Sequence, residues 1–322
     1  MILVIGEALI DLIGQEGSAD GYRPVVGGAN ANVALALATA SQPHRFLGRI
    51  SKDSFGRKIA DHLSTNGVDL SLSISAAEQT TLAIATIDAK GVASYSFYIK
   101  GTADWAWTAE ELPSAAEVKN LSATAIQFGC LTAAIAPGNA VVSNWISELA
   151  TNEQLTVSHD LNIRPSLGFD RATELARVEE YNQFSNIVKA SDADIEWLFD
   201  LEPGADLTEI IKSWTVDGKV LLVTKGGDGV ALYRNGQAIE VPALKIDLVD
   251  TVGAGDTFMA NFLAKLSEFD GLGSNPRQRL AELSEDQLRE AVEYATAAAA
   301  IVCERVGCQP PTRAEVVRRL KA

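Results

Sequence analysis

Residues 250–258 read DTVGAGDTF, and the small residues Gly253-Ala254-Gly255 run straight into an apolar helical pattern of Phe258, Met259, Phe262, Leu263 and Leu266. A small-residue turn that opens a helix leaves several backbone N–H groups without intrahelical partners, aimed where a phosphate or another anion can sit. Asp256 falls in the first turn of that helix. There a carboxylate can serve as general base toward whatever accepts a transferred group. The same residues also fit an ordinary glycine-rich loop with Asp256 as a helix cap, so the rest of the chain must choose between the two.

Upstream of this turn, short apolar runs alternate with helical patterns. Residues 2–6, 44–48, 125–128, 155–160, 187–189 and 220–224 read as strands, and residues 30–40, 55–64, 140–149 and 207–214 as helices, with Gly67 ending the second. This rhythm predicts an α/β fold with parallel strands joined by crossover helices. Asn235-Gly236, between residues 229–234 and 237–241, is a hairpin signal, so the sheet is expected to end in antiparallel strands. Residues 81–87 and 92–99 break the rhythm. They are rich in β-formers, are joined by Asp88-Ala89-Lys90-Gly91 and have no helix between them. They predict a hairpin standing off the main layer, part of a small β-sheet lid with residues 11–25, or else a plain antiparallel extension of the core sheet. A lid suits group transfer, because it excludes the water that would otherwise take a phosphoryl group. With no linker, repeat or low-complexity tract, residues 1–322 are expected to form one domain, with lid segments at about 11–25 and 80–104.

Composition excludes several classes. A chain of 322 residues, 47% hydrophobic, can bury a sizeable core. With 42 acidic against 27 basic residues and a formal charge of −15, it lacks the basic face that a nucleic-acid partner requires. A small phosphorylated ligand remains compatible with that charge, since backbone amides and a divalent cation can neutralise it locally. Cys130, Cys303 and Cys308 form no metal-type pair and no disulfide framework, which fits a reducing cytoplasm. The opening MILVIGEALIDL lacks a basic leader and is broken by Glu7 and Asp11, as a first strand would be. No run approaches the roughly twenty apolar residues that cross a bilayer.

A second glycine cluster, Gly27-Gly28-Ala29-Asn30-Ala31-Asn32, opens the first long helix. Small residues there permit close approach by a ligand, and amide side chains can read hydroxyls. Asp11 and Asn32 together offer a carboxylate and an amide to a polyol. Taken singly, each is equally a turn former or a capping residue.

The GGANAN cluster, residues 47–59 (LGRISKDSFGRKI) and DTVGAGDTF resemble, in order and spacing, the paired signatures of the ribokinase-like (PfkB) sugar kinases. The resemblance spans nearly the whole chain. Within the family, GEALIDL, FYIKGTAD (97–104), DLNIRPSL (160–167) and GCQPPT (307–312) look most like bacterial fructokinases. It implies a three-layer α/β/α sandwich with a β lid, and ATP-dependent phosphorylation of a sugar's primary hydroxyl, fructose to fructose 6-phosphate. A 2-keto-3-deoxygluconate kinase is the alternative, with Lys100 and Arg164 as candidate partners of that substrate's carboxylate. The resemblance makes Asp256 the base and the amides of Gly253, Ala254 and Gly255 the stabilisers of the transferred group, in keeping with phosphoryl transfer by positioning and electrostatics. It assigns Asp11, Gly28 and Asn32 to the sugar, with Arg164 near substrate or phosphate.

On the nucleotide side, Thr224-Lys225-Gly226-Gly227-Asp228-Gly229 matches the family's ATP loop, so Thr224, Gly226, Gly227 and Gly229 are candidates. No GxxxxGK[ST] loop is present, so Mg²⁺ is expected to be held largely through phosphates and water. Asp194, in Ser191-Asp192-Ala193-Asp194, falls where the family carries its acidic metal-side residue. The resemblance also implies a monovalent cation, K⁺, beside the turn, held by Asp250 with the carbonyls of Val252, Val302, Arg305 and Gly307. Pro311 stands where some members carry a hydroxyl ligand. The lid offers an edge or face through which two copies could pair as a homodimer.

Overall fold

The computed structural model describes residues 1–14, 21–87, 93–152 and 154–321. The expected hairpin tip Asp88-Ala89-Lys90-Gly91, and residues 15–20 of the first lid segment, lie outside the described residues.

Side chains alternate faces along a strand, and that alternation builds the layers. In the first strand, Ile2–Ile5, Ile2 and Val4 enter one apolar cluster while Leu3 and Ile5 enter another on the opposite face. A strand buried on both faces must read as an unbroken apolar run, as ILVI does. The strand Ile187–Ser191 splits in the same way, with Ile187 on one side and Val188 and Ala190 on the other.

Among the described residues the main sheet has eight strands. Their spatial order is Gln237–Val241, Val230–Arg234, Val220–Thr224, Ile187–Ser191, Thr156–Asp160, Ala125–Gly129, Ile2–Ile5, His44–Leu47. Pairing is parallel from Val220–Thr224 through His44–Leu47 and antiparallel at Val230–Arg234 and Gln237–Val241. The antiparallel end follows the hairpin signal: Asn235 and Gly236 both take positive φ, 51° and 75°, as a two-residue turn that matches strand twist requires.

Helices Ala29–Thr39, Ser54–Thr65, Ala254–Glu268 and Glu285–Cys303 cover one face, burying Leu37, Leu63, Phe262 and Leu288 among others. Helices Gly138–Thr151, Arg171–Phe184 and Asp192–Phe199 cover the other, with Ile146, Val178 and Leu198. The result is the expected three-layer sandwich.

A second, four-stranded sheet stands apart, in the order Tyr22–Gly27, Leu9–Gly14, Leu82–Ile87, Ala93–Tyr98. It shares no strand with the main sheet, so the alternative of a plain extension of the core does not hold. Leu9–Gly14 runs antiparallel to Tyr22–Gly27 and parallel to Leu82–Ile87, which sets Asp11 between Val25 and Ala83. Buried Asp104 anchors the base of this sheet by accepting the amide of Ala8 at 2.9 Å. Parallel strands present their C-terminal ends to a common crevice, the usual place for a ligand in such a sheet.

Candidate active site

Helix Ala254–Glu268 begins at Gly253, which adopts left-handed φ 77°, and no side chain caps it. Glycine is required there twice over, since a Cβ would also lie 2.3 Å from Cys308 Sγ. The Ala254 amide donates to Thr251 O at 3.2 Å, and Thr257 N closes the first helical bond on Gly253 O at 2.8 Å. The turn thus offers a helix N-terminus, with its partial positive charge, to an incoming anion.

Asp256 lies in that first turn and is buried, 7% exposed. Its Oδ2 accepts a 2.8 Å hydrogen bond from Asn32 Nδ2. Burial pushes the Asp256 carboxyl up to about 7; Asp160 adds to the rise, while the Asn32 bond and the Lys189 and Arg164 cations oppose it. A carboxyl balanced near neutrality, in a hydrogen-bonded orientation, is chemically suited to take a proton from a hydroxyl.

A cavity of about 470 Å³ opens in front of Asp256. Asp11, Gly28, Asn32 and Arg164 line it together with Gly253, Ala254 and Gly255. Burial raises the Asp11 carboxyl to about 6, partly offset by the Arg164 guanidinium. Gly28 takes φ 108°, and a Cβ on it would sit 2.5 Å from Glu7 O, so the chain enters the helix Ala29–Thr39 against the end of the first strand. Glu7 completes that entry. Its buried carboxylate accepts from Ala29 N at 2.9 Å, Asn30 Nδ2 at 3.0 Å and Thr132 Oγ1 at 2.7 Å, supplying the cap that Gly28 lacks.

A second cavity, about 410 Å³ and mostly apolar, lies across the turn. Thr224, Gly226, Gly227 and Gly229 line one side; Leu244, Ile246, Leu248, Ala299, Ala300 and Cys303 contribute apolar surface. Thr251, Ala254 and Gly255 line both cavities, so the amide-bearing turn is their common wall.

Two candidates fall elsewhere. Lys100 is exposed and lines a separate groove with Gln79, Tyr98 and Thr102, touching the first cavity only through the shared residues Phe97 and Ser166. Asp194 lines neither cavity. Its Oδ1 accepts from Ile163 N at 2.9 Å and its Oδ2 from Ser191 N at 2.8 Å, closing a capping box at the start of helix Asp192–Phe199.

Residues that sequence reasoning passed over also line the first cavity: Glu7, Phe97, Cys130, Asn162 and Lys189. The strongest missed signal is Lys189, a cation inside the otherwise uncharged strand IVKAS. A lysine at a buried strand position demands a partner, and Asp160 of the neighbouring strand supplies both oxygens at 2.8 Å.

Residues 1–315 match the pfkB family carbohydrate kinase family. The chain belongs to this family. Among the kinases it resembles, a fructokinase of Rhizobium leguminosarum bv. trifolii is 33% identical over 292 residues, 90% of this chain and 86% of its own length. Fructokinase-1 of Oryza sativa subsp. japonica is 29% identical across 100% of this chain and 98% of its own. The crystal structure of a Xylella fastidiosa fructokinase with bound ATP matches with a TM-score of 0.87 at 25% identity, covering 99% of this chain and 98% of that one.

For this pfkB kinase the donor set decides what metal chemistry fits. Among the described residues no group of three or more His, Cys, Asp or Glu side chains could hold a metal ion. A resident divalent cage therefore does not fit among these residues. A Mg²⁺ carried as part of the nucleotide substrate does, since that ion keeps most of its waters and binds chiefly through phosphates. The candidate monovalent set differs. Asp250 accepts Val252 N at 3.0 Å and Gly307 N at 2.8 Å, joining the amide-bearing turn to the loop after helix Glu285–Cys303. Val302 O, in the last turn of that helix, accepts Arg305 N at 3.1 Å. Among the described residues no helix is long and apolar enough to cross a membrane.

Proposed function

We propose that this carbohydrate kinase transfers the γ-phosphoryl group of Mg·ATP to the primary hydroxyl of fructose, giving fructose 6-phosphate and ADP. One observation carries the reading: a polar cavity holding Asp11, Asn32 and Asp256 and an apolar cavity of nucleotide size meet at a single wall, the turn around Ala254 and Gly255. Donor and acceptor on opposite sides of one amide-lined turn is the arrangement that in-line transfer needs. The fructokinase relatives support the choice of sugar.

In this reading the sugar hydroxyl gives its proton to Asp256 as its oxygen bonds to Pγ. The bond from Pγ to the β,γ-bridging oxygen breaks, and ADP leaves with that electron pair. Amides of Gly253 and Gly255, with the partly engaged amide of Ala254, stabilise the charge on the group in flight. Asp11 and Asn32 hold sugar hydroxyls, Gly28 allows the sugar close to the backbone, and Arg164 stands beside both substrate and phosphoryl group. Thr224, Gly226, Gly227 and Gly229 form the nucleotide side. The oxygens of Asp250, Val252, Val302, Arg305 and Gly307 would hold K⁺, whose charge would stiffen the turn. Asp194 holds the Ile163 and Ser191 amides, and would meet the nucleotide's Mg²⁺ through its water shell. The small sheet closes over the sugar and pairs two copies into a homodimer, and the enzyme works in the cytoplasm.

Arg164 in the cavity favours one second reading, a sugar acid such as 2-keto-3-deoxygluconate, whose carboxylate a guanidinium would bind. Purified protein assayed with Mg·ATP against fructose, 2-keto-3-deoxygluconate, ribose and nucleosides separates them. Fructose is expected to give the highest kcat/KM, and a ratio favouring the keto acid would overturn the assignment.

A further inference from the structure

Lys189, in the middle of its strand, stands opposite Asp160, at the C-terminal end of the adjacent parallel strand, each with a side chain 6% exposed. Lys189 Nζ donates to both carboxylate oxygens at 2.8 Å. Burial works to lower the ammonium's pKa, but the carboxylates of Asp160, first, then Asp194 and Asp256 together outweigh it and hold the group above its ordinary value. The cation is therefore fixed and charged at working pH. Its position is the telling feature. Lys189 lines the polar cavity, and a Cβ placed on Gly255 would lie only 3.2 Å from Nζ. The ammonium thus lies against the bare backbone of the turn that separates the two cavities. An ammonium carries three donors; Asp160 takes two, leaving one for a ligand.

A structural ion pair joining two strands explains less. A buried pair returns little net stability over apolar residues of similar size, and the neighbours of Lys189 in its own strand, Val188 and Ala190, are already apolar and buried. We propose that the Lys189 ammonium, aligned by Asp160, contacts the γ-phosphoryl group as it passes from nucleotide to sugar. Lys189 keeps its proton throughout and supplies positive charge to the equatorial oxygens. Asp160 is its positioning residue. The transfer step assumes the kinase activity proposed above; contact with the γ-phosphate does not depend on which sugar is the acceptor.

The test uses Lys189→Met, Lys189→Arg, Asp160→Asn and the double variant Asp160→Asn/Lys189→Met, with folding followed by circular dichroism and thermal melting. The double variant matters because it leaves no unpaired charge in the core. Lys189→Met is expected to lose about 10²–10³-fold in kcat, the usual cost of removing one preorganised donor, with the fructose KM within about threefold. Arginine should restore at least about tenfold of that loss, and the folded double variant should stay as slow as Lys189→Met. Asp160→Asn, which keeps the cation but loosens it, should fall in kcat less than Lys189→Met, again without a matching rise in fructose KM. Calorimetry on the full chain without sugar supplies the independent readout: the substitution should weaken Mg·ATP binding about tenfold or more while leaving Mg·ADP binding nearly unchanged. A double variant that turns over within about threefold of wild type, or equal losses for ATP and ADP, would overturn the assignment. If wild type ignored fructose yet the ATP-specific loss persisted, the substrate reading alone would fail.

Discussion

Asn32 Nδ2 donates to Asp256 Oδ2 at 2.8 Å, a buried bond between the first turns of two helices whose residues lie 224 positions apart in the chain. It orients the carboxylate that faces the cavity and partly offsets the rise that burial imposes on it. Because the bond is made by the group we assign as base, an isosteric change separates chemistry from binding. Asp256→Asn should lower kcat by about 10²–10⁴-fold, the range for losing a general base, while the Kd for fructose by calorimetry stays within a few-fold. Near-normal kcat would remove Asp256 from that role.

The same burial makes Asp256 costly to the fold at high pH. Its folded value of about 7 stands above the ordinary carboxyl value of 3.8. Between those values the folded protein holds a proton that the unfolded chain has released, so this group's contribution to stability declines as pH climbs from about 4 to 7. The ceiling on that loss is roughly 4 kcal/mol. Asp256→Asn does not titrate. In urea denaturation the variant should therefore gain on wild type between pH 5 and pH 8, by about 1 kcal/mol or more. An unchanged difference across that range would contradict the raised value.

Local signals were the legible ones. The strand runs, the Asn235-Gly236 turn and both glycine clusters declare themselves within a few residues, because backbone conformation and strand alternation are short-range properties. The Lys189–Asp160 pair did not, since strand register alone brings those residues together across 29 positions. Glu7 likewise caps a helix that begins 22 residues later. Asp194 carries a second, local demand as well. Ser191-x-x-Asp194 has the spacing of a capping box, a local demand that engages both carboxylate oxygens, whereas the sequence resemblance pointed to a metal. Lys100 follows a lid strand closely in sequence, yet the groove it lines is not the cavity behind Phe97.

Asp11 provides the test of the sugar pocket. The Asp11 carboxylate packs over Gly27, where an added Cβ would meet Oδ2 at 2.2 Å, and it sits in the cavity with Arg164. Hydrogen bonds from a polyol to a charged partner are each worth about 1.5–3 kcal/mol. Asp11→Ala should therefore raise the fructose KM by about 10–100-fold, with kcat reduced by less than about fivefold and the KM for Mg·ATP little moved. An unaltered fructose KM would place the sugar elsewhere.

Gly253 tests how tightly the turn is built. Alanine there meets two obstacles: a left-handed φ of 77°, worth about 1–2 kcal/mol for a residue with a Cβ, and Cys308, whose Sγ and Cβ would lie 2.3 and 2.8 Å from the new methyl. The turn must shift to relieve the contact, and its amides shift with it. Gly253→Ala should lower kcat more than tenfold and cost about 1–3 kcal/mol in denaturant unfolding. Cys308→Gly removes both nearest atoms, so the double variant Gly253→Ala/Cys308→Gly should recover part of the activity while the backbone strain remains. Wild-type kcat in Gly253→Ala would mean that the amides need no such placement, and a double variant no better than the single would show that φ alone, without the Cys308 contact, sets the requirement for glycine.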